Sequence, residues 1–86
     1  MEYKKGQVVK SAAGRDKDLW FIVWEDEGDT VLLVDGKVRP LENPKRKKKK
    51  HCRPTQKIVP LSDTPMGNKA IYKKLQETVF VNGSEL

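Results

Sequence analysis

Residues Leu19–Leu41 read LWFIVWEDEGDTVLLVDGKVRPL, and this stretch decides the fold. Its first six residues are all aromatic, β-branched or leucine. Such a run is too short for a buried helix and fits a strand. The acidic segment Glu25–Asp29 follows as a turn, and Val31 to Val34 reads as a second buried strand. Asp35-Gly36 is a two-residue hairpin signal, because both residue types tolerate positive φ. Lys37 to Leu41 is then expected to return as a strand, with Pro40 at its edge.

On the N-terminal side, Gly6 to Ser11 alternates loosely about Val8 and Val9 and reads as a strand. The polar segment from Ala12 to Asp18, with Gly14 inside it, is a loop. Residues 6–41 thus predict four antiparallel strands in meander order. A fifth short strand is expected around His51 to Arg53 or around Lys57 to Val59. Five short strands with tight turns favour a small barrel, since closure hides strand edges that would otherwise pair with other chains.

On the C-terminal side the charge is concentrated. Lys45–Arg53 reads KRKKKKHCR, seven of nine residues basic and none acidic, whereas the other 77 residues hold 11 basic and 12 acidic side chains. The formal charge of +6 therefore belongs to this one run. Cations this close repel one another unless they are solvated or neutralised by a polyanion. Phosphates are the natural neutraliser, because each Lys or Arg that meets one releases a condensed counterion. Lysine predominates, and it is a point charge without the bidentate fork that reads bases. Affinity with little sequence specificity is the expectation. Residues 43–53 are read as a basic loop of the barrel, and the bland alternative is that it is only solvated and flexible or, in a nucleated cell, a localisation signal.

The candidate nucleic-acid contacts are Lys45, Arg46, Lys47, Lys48, Lys49, Lys50, His51 and Arg53 in the run, with Lys10, Gly14, Arg15, Lys17 and Arg39 at loops and strand ends. Glu25–Asp29 lacks the ligand spacing of a calcium loop, reads as a solvated turn, and should turn phosphate away from its end of the molecule. Trp20 and Trp24 share strand parity with Ile22, opposite Leu19, Phe21 and Val23. One set points into a barrel, and an outward Trp is a stacking platform for a splayed base. His51 and Cys52 are adjacent and would point to opposite faces of a strand, which disfavours a catalytic pair. No catalytic constellation, metal-ligand spacing or cofactor motif is legible, and a non-enzymatic role without cofactor is expected.

Eighty-six residues suffice for one small domain with a modest core. No apolar run approaches the ~20 residues that span a bilayer, and the N-terminus lacks the apolar stretch of a signal peptide. A cytoplasmic, monomeric protein with no membrane partner is expected. The single cysteine, Cys52, suits a reducing compartment.

Residues 1–59 are read as the barrel, 60–67 as a linker, 68–79 as a C-terminal helix and 80–86 as a tail. Asn68 is expected to cap a helix from Lys69 to about Thr78. Ile71 and Leu75 form an i, i+4 stripe extended by Thr78 and Val79. A helix of about three turns is marginal alone and must dock on the barrel or on a partner.

The segment GQVVKSAAGRDKDLWFIVWEDEGDTVLLVDGKVRPL resembles a KOW motif, and LVDGKVRPLENPKRKKKKHCRPT is similar to small bacterial KOW proteins related to large-subunit ribosomal proteins of archaea and eukaryotes. The resemblance covers about residues 4 to 57. It implies an SH3-like barrel that binds RNA, ribosomal RNA above all, through the loop at Gly14. In that family a glycine holds this loop, for a positive φ or for close approach to RNA. A second glycine often follows where Asp18 stands here, a departure that also places a negative charge near the expected RNA face. The alternative from another class is an SH3-like protein-interaction module of a transcription or ribosome-assembly complex, with the Ile71/Leu75 stripe as the partner surface.

Overall fold

The computed structural model describes residues 2–61, 67–81 and 84–86. The fold is mainly β. Five antiparallel strands form one sheet: β1 (Gln7–Ser11), β2 (Trp20–Asp26), β3 (Thr30–Val34), β4 (Lys45–Lys48) and β5 (Cys52–Ile58). The spatial order is β4-β3-β2-β1-β5, a meander closed at its far end by the return of β5 onto β1. A single 3-10 turn, Lys49–His51, links the two edge strands. Among the described residues no ladder joins β4 to β5, and the five strands form a curled sheet without the pair that would close a barrel.

Two corrections concern the fourth strand. Lys37 to Leu41 is not a strand, and β4 is instead the first half of the basic run, paired with β3 through Leu33↔Lys45 and Val31↔Lys47. Asp35-Gly36 does not make a two-residue hairpin. The Asp35 carboxylate accepts backbone N–H bonds from Lys37 and Arg39, both at 2.8 Å, and closes a wider loop on itself. Gly36 has φ +80°, and a Cβ there would collide with the Asn68 carbonyl at the start of the helix. The glycine serves a close approach as much as a turn. The fifth strand, Cys52–Ile58, runs from the first expected position into the second.

The period-2 pattern of β2 feeds two cores. Phe21 and Val23 join Tyr3, Val9, Val31, Leu33 and Cys52 on the concave side of the sheet. That cluster reaches from β3 to β5 across two intervening strands, which requires strong curvature. Ile22 joins Val8, Val34 and Val59 on the opposite side, under α1 (Asn68–Val79). Both parities of β2 are therefore buried, and Trp20 and Trp24 are half-buried against the helix-side core. Trp24 is the extra residue of a bulge, since Val23 faces Leu33 and Glu25 faces Leu32.

The helix docks on the sheet through Ile71, Leu75 and Val79, all fully buried. Each such side chain contributes about 1.5–3 kcal/mol of burial, which makes a helix that is marginal alone secure in place. The stripe is thus internal, and the alternative reading loses it as a partner surface. Asn68 is not the cap either. Gly67 occupies that position, and Asn68 instead accepts the Leu41 N–H at 2.7 Å and donates to Glu42 at 2.6 Å. Within the expected tail, Phe80–Val81 (β6) and Ser84–Glu85 (β7) pair as a short antiparallel ribbon. Most of the expected linker, residues 62–66, lies outside the described residues. No helix among the described residues is long and apolar enough to cross a membrane.

Candidate nucleic-acid interface

Once half of the basic run is a strand, its charges divide by face. Lys45 and Lys47 stand opposite Leu33 and Val31, on the concave side, while Arg46 and Lys48 point the other way. Lys47 is only 8% exposed. Its stem closes the end of the concave core, and its ammonium donates to the Ala13 carbonyl at 2.8 Å and to Asp16 Oδ1 at 2.9 Å. Long lysine stems can cover apolar surface in this way while the charge finds a polar partner.

Two more cations of the run are neutralised from the acidic turn. Arg46 Nε meets Glu27 Oε1 at 2.8 Å, and Lys49 Nζ meets Asp26 Oδ1 at 2.7 Å. The Lys49 backbone N–H also donates to the Asp29 carbonyl at 2.9 Å. The acidic segment is therefore not a merely solvated turn remote from the run. It packs beside the run because β3 is flanked by β2 and β4, and the β2–β3 turn meets the end of β4. Among the described residues, Lys45, Lys48, Lys50 and Arg53 make no ion pair. His51 lies half-buried in the 3-10 turn, where its carbonyl accepts the Ala12 N–H at 2.8 Å.

The carboxylates record this pairing. Burial alone would raise the Asp16 carboxyl, but hydrogen bonds from Lys47 and Ser11 overcome it and hold the group below the ordinary carboxylate range. The Lys49 hydrogen bond, helped by the Tyr3 and Gly28 N–H groups, lowers Asp26 strongly. Arg46 lowers Glu27 and is itself raised by the same bond. Burial in the concave core pushes the Cys52 thiol up.

The loop between β1 and β2 stands on Lys47. Asp16 also accepts from the Ser11 hydroxyl at 2.7 Å, and the Asp18 N–H donates to the Ser11 carbonyl at 2.8 Å. Gly14 has φ +88°, and a Cβ there would meet only Lys47 Nζ and Asp16 Oδ1 at ordinary contact distances of 3.6 and 3.7 Å. The backbone conformation alone calls for a glycine here. Asp18 has φ +72°, a left-handed conformation held with an aspartate in it.

Three of the expected cations converge. Arg15 from the loop, Arg39 from the Asp35 loop and Lys45 from β4 line one concavity of about 280 Å³. Its apolar lining is Leu19, Phe21 and Val38, of which Leu19 and Val38 are 42% and 61% exposed, and the Lys47-bound Asp16 carboxylate also lines it. Lys17 is exposed on the same loop as Arg15. Lys10 stands apart, on the helix side of β1, with its ammonium 3.1 Å from Glu85 and 5.1 Å from the centre of the Trp20 ring. Arg53 is directly opposite Lys10 on β5. Each tryptophan has a lysine over its ring, with Lys5 at 4.2 Å from Trp24.

Leu19 and Val38 were not among the expected contacts. Their signal was an apolar residue at the end of a polar loop and another after a turn, too weak to separate from core positions. No family model matches the sequence, and no curated protein is significantly similar to it.

Proposed function

We propose that this protein is an RNA-binding module that docks on structured RNA, ribosomal RNA in the first place, by charge and shape with little base specificity. The KOW-like pattern of residues 4 to 57 motivates the choice of RNA. The observation that carries the reading is the convergence of Arg15, Arg39 and Lys45 on one concavity without an ion-pair partner among the described residues. Cations left unpaired in a fold that pairs their neighbours are available to phosphate. The Gly14 loop, held by Lys47, carries Arg15 into the lining of that concavity and Lys17 exposed two residues further on. Lys48 and Lys50 extend positive charge along the outer edge of β4 and the 3-10 turn.

The test is binding of a fluorescent structured RNA across a range of salt concentrations. Replacing Arg15, Arg39 and Lys45 together with Gln should weaken binding and lower the slope of log K against log salt by about 2, at roughly 0.7–0.9 per phosphate contact. A slope unchanged by the triple substitution would remove the concavity from the interface. Absence of salt-dependent binding by the unaltered protein would remove the reading altogether.

A further inference from the structure

The helix side of the sheet carries a row of residues that the concavity does not use. Trp20, Lys10 and Arg53 are direct Cα partners across β2, β1 and β5, so their side chains leave the same face side by side. Two cations directly opposite one another destabilise a ladder unless an anion joins them. Glu85 of β7 meets one of the two, its Oε1 3.1 Å from Lys10 Nζ, and Arg53 has no ion-pair partner among the described residues. The buried Trp20 indole N–H has no partner in full hydrogen-bond geometry among the described residues. The Lys10 hydrogen bond holds the Glu85 carboxyl below its ordinary range. The Trp20 N–H adds to this more weakly.

We infer that Trp20, Lys10 and Arg53 form a second subsite for an unpaired nucleotide, and that Glu85 of the C-terminal ribbon occupies its phosphate position. The inference rests on the RNA reading and assigns the regulation of a separate face. A phosphate replacing the carboxylate would bridge Lys10 and Arg53, and it offers more acceptors to the unbonded indole N–H. The base would take the Lys10 ammonium's place against the Trp20 ring, a contact open to any base. The cover is weak by construction. β6 and β7 have two residues each, and an isolated ribbon of that size is marginal. It is held by Lys10–Glu85 and by the Leu86 N–H donating to the Val79 carbonyl at 2.8 Å. Glu85 is 41% exposed in that pair, so a competing anion can reach it.

The experiment compares the full chain with Glu85→Gln and with Glu85→Gln/Lys10→Gln. Each is titrated with a short oligouridylate and with an RNA duplex while the two indole N–H resonances are followed by NMR. Glu85→Gln should tighten oligouridylate binding roughly 3- to 10-fold. The added Lys10→Gln should cancel that gain. The Trp20 indole resonance should shift with oligouridylate and stay in place with duplex. If the unaltered protein binds RNA but Glu85→Gln binds no more tightly and the Trp20 resonance does not move, the subsite is wrong and the RNA reading stands. If neither RNA binds either form, both fall together.

Discussion

Lys47 and Lys48 are neighbours in one run of like charges, yet they belong to different parts of the molecule. Lys47 lies against the concave core with Asp16 at 2.9 Å, and Lys48 is exposed without an ion pair among the described residues. The same contrast separates Arg46, joined to Glu27, from Lys50 at the exposed corner of the 3-10 turn. A charge run in sequence is not a charge patch in space. Strand alternation sorts it into structural cations and available ones, and only the second group can release counterions from a nucleic acid.

The sharpest way to break this contrast is a pair of alanine substitutions measured by chemical denaturation. Lys47→Ala should cost about 2–4 kcal/mol, because it leaves Asp16 unpaired and uncovers the core. Lys48→Ala should change stability by no more than ~0.5 kcal/mol. Equal losses would erase the distinction. Lys47→Met, which keeps the stem and removes the charge, should fall between the two.

Acid sharpens the same comparison. Asp16, Asp26 and Glu27 all have lowered folded-state pKa values. Their contribution is full above the unfolded carboxylate range near pH ~4 and is lost as pH falls through the lowered values. Thermal unfolding should therefore shift to lower temperature in acid. Asp16→Asn should show a shallower loss than the unaltered protein, since one fewer carboxylate takes up a proton. Identical acid profiles would mean that the Asp16–Lys47 pair does not couple to folding.

On the binding side, Lys48→Gln with Lys50→Gln should lower the salt slope by about 1 to 2. Removing the Arg46–Glu27 pair by Arg46→Gln/Glu27→Gln should leave the slope near its original value, and so exposed a pair adds little to stability. A slope that fell equally in both would show that Glu27 does not compete with phosphate. The smallest effect expected is in the loop. Asp18→Gly should stabilise by a few tenths to ~1 kcal/mol, because a residue with a Cβ is strained at φ +72° and glycine is not. A loss of stability there would mean that the Asp18 side chain supports the loop.

Much of the sheet was legible because its signals are local. The apolar run that became β2, the Val-rich β3 and the Val8–Val9 centre of β1 each carry their period within a few residues. The fourth strand was misplaced because Asp35-Gly36 is a strong local turn signal in competition with a tertiary demand. The helix start needs the loop to approach closely at Gly36, and the chain therefore pairs later, through lysines. Nothing in KRKK marks a strand by composition. Its pairing is imposed by β3, which has an open edge and core residues that need covering. Asn68 likewise has a capping side chain by type, and a loop 27 residues away in sequence claims it.

The candidate site divides along the same line. The sequence by itself determined that this chain is basic in one place, β-rich before it and helical after it, because charge, strand period and helix period are properties of neighbours along the chain. Only the tertiary structure decided which cations are available. Asp16, Asp26 and Glu27 reach Lys47, Lys49 and Arg46 across 19 to 31 positions of sequence, and Arg15, Arg39 and Lys45 meet from three separate segments. Ion pairing depends on distance in space, which strand register sets and linear order does not.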